Sequence, residues 1–380
     1  MKIRSILAVL CLALAVVACG SDDDAALSDN ETTTDAPSAT DAPSATDAPS
    51  ATDAPETTDA PSATDAPETT DTPPEVPDCG TLSLASLDDD SHRAALYAAE
   101  NGLIGDQESL TLEIDYLQIP ALIQATASGQ YDALATSLPG VVFARAASGA
   151  DLRILSYGAA HTGGGVAIYV RDDSDMQSAA DLDGKTLGTF SFGSTTTMQT
   201  QLLLAESYEQ DFALEGSGPN WVELDPPTLL NALEKGDVDA GLLFYQSGWM
   251  ADQNPELRVL THVDREYHDV TGGAWPVTSA LIADGGWIAE NSDCAASLQQ
   301  TIDDSIRYAE ANISSFADEV AEASGVPVEV IEYWWQPDNY RFLGTPTEES
   351  SAWAQTFYDL AATYGGIPAE VDIADLIANL

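Results

Sequence analysis

Pro120-Ala-Leu-Ile-Gln-Ala-Thr-Ala-Ser-Gly-Gln-Tyr-Asp-Ala-Leu134 returns, 107 positions later and without a gap, as Pro227-Thr-Leu-Leu-Asn-Ala-Leu-Glu-Lys-Gly-Asp-Val-Asp-Ala-Gly241. Pro120 matches Pro227, Leu122 Leu229, Ala125 Ala232, Gly129 Gly236, Asp132 Asp239 and Ala133 Ala240. Each copy reads as a helix followed at once by a strand. Proline opens the first turn, where a missing N–H costs nothing, apolar residues follow at helical spacing, and glycine supplies a left-handed cap.

Working outward, each copy is preceded by an extended run, Leu112–Leu117 or Trp221–Leu224. Before each run stand a further strand and helix: Thr81–Ala85 with Arg93–Asn101, and Thr186–Phe190 with Thr195–Tyr208. Two β-α-β-α-β halves predict an α/β protein of two similar lobes. Ligands of such sheets bind beyond the carboxyl ends of the strands, so the gap between the lobes is the place to look for function.

Residues 1–19 have a basic start, Lys2 and Arg4, then an apolar run and Val16-Val17-Ala18-Cys19. They read as a secretory signal ending in a lipobox, with Cys19 the lipidated residue. That predicts attachment to the outer face of the cytoplasmic membrane by lipid, without a spanning helix. From 20 to 78 the composition is Thr, Asp, Ala and Pro, repeating Thr-Asp-Ala-Pro-Ser-Ala with a period of six. Too few large apolar side chains are present to offset ordering entropy, so this is expected to be a disordered acidic tether, on the order of 150 Å when fully stretched.

Beyond the tether, 47 acids face 10 basic residues, a formal charge near −37. Such a surface repels nucleic acid and anionic lipid, and both are excluded as partners. Cys79 and Cys294 are the two cysteines left. In a disulfide-permissive compartment we expect a bridge, with two free buried thiols as the other reading. No Cys-x-x-Cys or His-x-x-x-His spacing supports a metal, and no cofactor motif is present.

Candidate contacts lie at strand ends. Ser191-Phe-Gly-Ser-Thr-Thr-Thr197 opens a helix with Ser194 or Thr195 as its cap, offering N–H groups and hydroxyls. Thr136 and Ser137 end one repeat strand, and Tyr245 and Gln246 end the other. Gly163-Gly-Gly165 precedes a strand, unlike a phosphate loop, and reads as the first crossing between lobes. Residues 272–282 form the second crossing, where Trp275 can stack on a ligand. Asp88, Asp89 and Asp90 begin a helix and read as capping groups; facing the gap, they would call for a ligand with an amine or other hydrogen-bond donors. After Asp293 the chain reads as helical, with closing helices over Ser351–Tyr364 and Asp372–Leu380.

The lipobox and tether, "LYAAENGLI", "ALIQATASGQYDAL", "DLDGKTLGTFSFGSTT" and "LLNALEKGDVDAGLL", in that order, resemble ABC-importer solute-binding proteins of the nitrate/sulfonate/taurine type, which include pyrimidine and thiamine-precursor binders. The resemblance covers residues 81–380. It implies a type II periplasmic-binding-protein fold, two lobes each with a mixed sheet and flanking helices, joined by two crossover strands. The implied lobes are 79–166 with 278–380, and 167–277. The implied function is capture of a small organic nitrogen- or sulfur-containing molecule by a monomer and delivery to a membrane permease. Carried onto this sequence, the ligand contacts are Leu87, Asp88, Thr136, Ser137, Gly193, Ser194, Thr195, Tyr245 and Gln246. The Asp triplet departs from the family pattern and weighs against a strongly anionic ligand. Enzymes of related fold, a pyrimidine-precursor synthase and a chorismate-derived dehydratase, are the rival class, and a sensory or adhesive lipoprotein is a third. The four histidines show no cysteine or carboxylate relay in the sequence, so a non-enzyme is expected.

Overall fold

The computed structural model describes residues 78–105, 109–214, 216–336 and 339–380. The expected signal, Cys19 and the tether to residue 77 lie outside them.

Both repeats form the expected unit. Strand β1 (Gly80–Leu87), helix α1 (Asp90–Glu100), β2 (Leu110–Leu117), α2 (Ile119–Ser128) and β3 (Ala133–Ser137) are followed by α3 (Leu138–Ser148) and β4 (Leu152–His161). The chain then crosses to β5 (Val166–Arg171), β6 (Thr186–Thr189), α4 (Thr195–Tyr208), β7 (Asn220–Glu223), α5 (Pro226–Lys235), β8 (Ala240–Phe244), α6 (Tyr245–Asp252), β9 (Leu257–His262) and α7 (Val263–Val270). It returns through β10 (Ser279–Asp284), α8 (Gly285–Glu290), α9 (Ser292–Asn312), α10 (Ala317–Ser324), α11 (Val328–Trp334), β11 (Tyr340–Gly344) and α12 (Glu348–Thr363).

The repeated residues do the same work twice. Gly129 and Gly236 close α2 and α5 at φ 63° and 78°, values that glycine reaches without a Cβ penalty. The Asp132 carboxylate accepts the Ser83 N–H and hydroxyl at 2.8 Å, and the Asp239 carboxylate accepts the Thr186 N–H at 2.8 Å. Each aspartate thereby ties the strand after its helix onto the first strand of its own half. The motif Gly-x-x-Asp-Ala is a helix stop plus a strand clamp.

Two mixed sheets result, ordered β11-β4-β10-β3-β1-β2 and β7-β6-β8-β5-β9. Strands β1, β2 and β3 are parallel, as are β6, β7 and β8, while β10 runs antiparallel to β3 and β4, and β5 antiparallel to β8 and β9. Reading from β2 and from β7, the first five strands of the two orders correspond, and β11 is an addition at the edge of the first sheet. Among the corresponding strands the antiparallel one is β10 in the first and β5 in the second, the strands that follow the two crossings; the added β11 is antiparallel to β4 as well. The crossings run side by side: Thr278 N–H donates to Ala159 carbonyl at 2.8 Å, and His161 N–H to Pro276 carbonyl at 3.2 Å.

On one side of the first sheet, Leu84, Leu96, Leu298, Ile302 and Trp334 form a core; a second core gathers Leu138, Val141, Tyr157, Phe357 and Tyr358 with Met198 and Leu202 of α4. Helix α4 is therefore buried against both halves, its Leu203 and Leu204 packing on the second sheet. The α4 sequence carries apolar residues and threonines around most of its circumference for that reason.

The expected terminal helix over Asp372–Leu380 does not form. Only a 3-10 turn at Ile373–Asp375 appears, and the chain beyond it is extended beside β4, where Ile154 N–H donates to Leu376 carbonyl at 2.7 Å and Ala378 N–H to Ile154 carbonyl at 2.8 Å. A β4 backbone free at that point outcompetes a short helix. Cys79 and Cys294 are joined by a disulfide across 215 positions, fixing the start of β1 to α9. No helix of the described residues is long and apolar enough to cross a membrane.

Candidate functional site

The carboxyl ends of β3 and β6 meet. Ser137 Oγ caps α3 by accepting the Gly140 N–H at 3.1 Å and donates to the Gly193 carbonyl at 3.1 Å. Leu138 N–H donates to Thr195 Oγ1 at 3.0 Å, and Thr195 in turn donates to the Thr278 carbonyl on the second crossing. Thr136 is buried behind them. Ser194 is the α4 cap, its Oγ accepting the Thr197 N–H at 3.0 Å. Thr136, Ser137, Gly193, Ser194 and Thr195, named separately from the sequence, thus form one polar group spanning both sheets.

A second group lies at the ends of β1 and β8. Asp89 caps α1: its Oδ1 accepts the His92 N–H at 2.7 Å and the Ser91 hydroxyl at 2.9 Å, and sits 2.9 Å from His92 Nδ1. Burial acts to raise the Asp89 pKa, but the His92 charge and hydrogen bonds outweigh it and the carboxyl is lowered. Burial likewise opposes a charged His92, yet Asp89 raises its pKa on balance. Asp90 is different. It is 4% exposed, its Oδ2 has no hydrogen-bond partner, and burial followed by repulsion from Asp89 pushes its pKa up to about 7.

Tyr245 closes this group. Its φ of 50° is one of two positive values at a non-glycine among the described residues. A bulky side chain held there is strained by about 1–2 kcal/mol, and such strain gathers at sites where function fixes the backbone. Its hydroxyl donates to the Tyr340 hydroxyl at 2.6 Å, and its ring lies 5.9 Å from His161, 5.2 Å from Trp334 and 4.6 Å from Phe244. Burial, Tyr340 and Asp89 together raise its pKa well above the usual 10, so the phenol stays a neutral donor. Burial lowers His161 to about 4, leaving the imidazole neutral near pH 7.

Other sequence candidates lie elsewhere. The Asp88 carboxylate is taken by Arg93 Nε and Nη2 at 3.0 and 2.8 Å and by Gln118 Nε2 at 3.1 Å, with Arg93 stacked 4.1 Å over Tyr116. Leu87 packs on the apolar core, Gln246 is half-buried after Tyr245, and Trp275 stacks on His268 with ring centres 4.0 Å apart. The glycine run has an internal anion: the buried Asp264 carboxylate accepts the N–H groups of Gly163, Gly164 and Gly165 at 3.2, 2.7 and 2.9 Å. A Cβ on Gly165 would stand 2.7 Å from Trp334 and from the Asn339 carbonyl, so only glycine fits. Of the four histidines, His92 is satisfied by the Asp89 carboxylate three residues earlier, a partner the sequence reading did not name. Sequence reasoning missed Tyr340 and Asp264, both distant in the chain from their partners; the alternation of Tyr340-Arg-Phe-Leu-Gly344 was the one signal for β11.

Neutral phenols, hydroxyls and carboxylates can bind a small solute without altering it. Two mixed sheets of equivalent order, exchanging one strand each, define the periplasmic-binding-protein fold. Residues 91–312 match the NMT1/THI5-like family, and the chain belongs to it. It is similar in fold to the periplasmic aliphatic sulphonate binding protein SsuA of Escherichia coli (20% identity, 79% of this chain and 92% of that one, TM-score 0.61) and to the alkanesulfonate-binding SsuA of Xanthomonas axonopodis bound to MOPS (18%, 78% and 97%, 0.61). It is also similar to the desulfurization enzyme DSZB (14%, 78% and 96%, 0.54). No curated protein matches the sequence.

Proposed function

We propose that this protein is the extracytoplasmic solute-binding component of an ABC importer, a monomer tethered by lipid at Cys19, that captures a small organic nitrogen- or sulfur-containing molecule and hands it to a permease. In this reading the lobes are 79–166 with 278–380, and 167–277, hinged on the crossings within 161–170 and 272–282. The observation that carries it is the polar group from Thr136 to Thr195, which draws hydroxyls and N–H groups from strand ends of both sheets. A solute held by both lobes favours the closed arrangement by its differential affinity for it. The family membership and the sulfonate binding of the SsuA proteins support this class of function.

The enzyme reading has less support. Ser91 Oγ donates to the same Asp89 oxygen that His92 Nδ1 faces, and lies 3.5 Å from that same nitrogen. A nucleophile relay needs the hydroxyl and the carboxylate on opposite nitrogens of the ring. A thermal-shift screen with taurine, alkanesulfonates, nitrate, pyrimidines, thiamine precursors and riboflavin is expected to return a stabilising solute that is recovered unchanged. Chemical conversion of that solute by the purified protein would sink the proposal.

A further inference from the structure

We propose that the captured solute carries a positively charged amine seated against Asp90 beside the Tyr245–Tyr340 pair, the opposite charge class from a sulfonate. This rests on the solute-binding reading and adds the ligand's charge to it.

Three buried polar atoms from separate elements lack partners around this tyrosine pair: Asp90 Oδ2, Trp334 Nε1 and His161 Nδ1, whose ring lies 5.9 Å from Tyr245 and 5.2 Å from Tyr340. Asp90 Oδ2, on α1, is an acceptor with nothing to accept from although the residue is 4% exposed. Trp334 Nε1, on α11, is a donor without an acceptor; the residue is 2% exposed and its ring lies 5.2 Å from Tyr245. Buried groups of this kind are costly unless something completes them. An ammonium supplies the donor that Asp90 lacks, and an oxygen elsewhere on the same solute is a fit acceptor for the indole.

The charges nearby agree. His92, whose pKa Asp89 raises, is already paired with that carboxylate at 2.9 Å, and Arg93 is held by two bonds to Asp88 and by the Tyr116 ring. Arg341 is exposed, on the opposite face of β11 from buried Tyr340. The α1 N-terminus, which would otherwise attract an anion, is capped by the Asp89 carboxylate. Neutral tyrosine rings next to carboxylates favour a cation, and the carboxylates repel a sulfonate.

The test is calorimetry on the whole chain with solutes of one two-carbon skeleton, ethanolamine and choline as cations, taurine as zwitterion and isethionate as anion, backed by thermal-shift panels of organic amines and organic anions. Amines are expected to bind, with wild-type affinity falling as salt rises. D90N should weaken them by about tenfold or more, and D304N, at a surface ion pair, should not. Binding confined to sulfonates or other anions, or amine affinity unchanged in D90N, overturns the charge assignment. Should D90N not fold, the salt dependence and the charge of the wild-type hits decide. Silence from both panels would remove the solute-binding reading itself.

Discussion

The Tyr245 hydroxyl donates to the Tyr340 hydroxyl at 2.6 Å, joining the residue that follows β8 in one sheet to the residue that begins β11 in the other. These two residues are 95 positions apart, and the bond sits between the strained backbone of one and the buried strand of the other.

Truncation at this joint should therefore be felt in binding more than in folding. Y245A and T136A are each expected to weaken the solute returned by the screen by about tenfold or more, with melting temperatures close to wild type, since Tyr245 is half-buried and its φ already costs energy. Calorimetry beside circular dichroism checks both halves of the claim; unchanged affinity in both variants would remove these residues from the site.

The two clamp aspartates offer a stability test. D132A and D239A each strip hydrogen bonds from a first-strand N–H, so each should cost about 1–3 kcal/mol in urea unfolding. Because they sit in different sheets, the double variant should lose the sum of the two. A clearly smaller loss would mean that the sheets unfold separately.

The Cys79–Cys294 bridge closes a loop of 215 positions. On the chain-entropy account its removal by C79S with C294S costs about 5 kcal/mol, readable as a fall in urea midpoint. Labelling of both thiols in the unreduced, denatured protein would show that no bridge exists in solution.

A further prediction concerns pH. Asp90 ionises at 3.8 when unfolded and at about 7 when folded, so between those values the native state keeps a proton that the unfolded chain has released. Stability from this group therefore falls as pH rises across that window. His161 acts in the opposite sense: its folded pKa of about 4 lies below 6.5, so it lowers stability as pH falls from 6.5 to 4. Wild-type stability minus that of D90N should decline from pH 4 to pH 7, isolating Asp90 from His161. A flat difference curve would show that Asp90 is not buried as a carboxyl in need of its proton.

Much of the architecture was legible because it is local and repeated. Proline, apolar spacing, glycine and aspartate at a constant offset specify two helix-to-strand units, and α4 begins and ends where its cap and apolar run predict, at Thr195 and Tyr208. The closing helix over 372–380 failed because local propensity there competes with the stretch of β4 around Ile154 that β11 leaves unpaired, a partner far away in the chain. Hydroxyls after strand ends, such as Ser137 and Thr195, were readable as candidates, since in each half the parallel strands present their carboxyl ends on one side.

What the chain alone determined, then, was two alike halves, their strand ends and a surplus of acid, because periodicity and composition are properties of neighbours in sequence. Which polar groups would be used up internally was decided only in three dimensions: Asp88 by Arg93, the glycine N–H groups by Asp264, His92 by Asp89. The same packing left Asp90 buried without a partner. Satisfaction of a buried polar group depends on what the fold brings within 3 Å of it, and such partners lie anywhere from one turn to a hundred residues away.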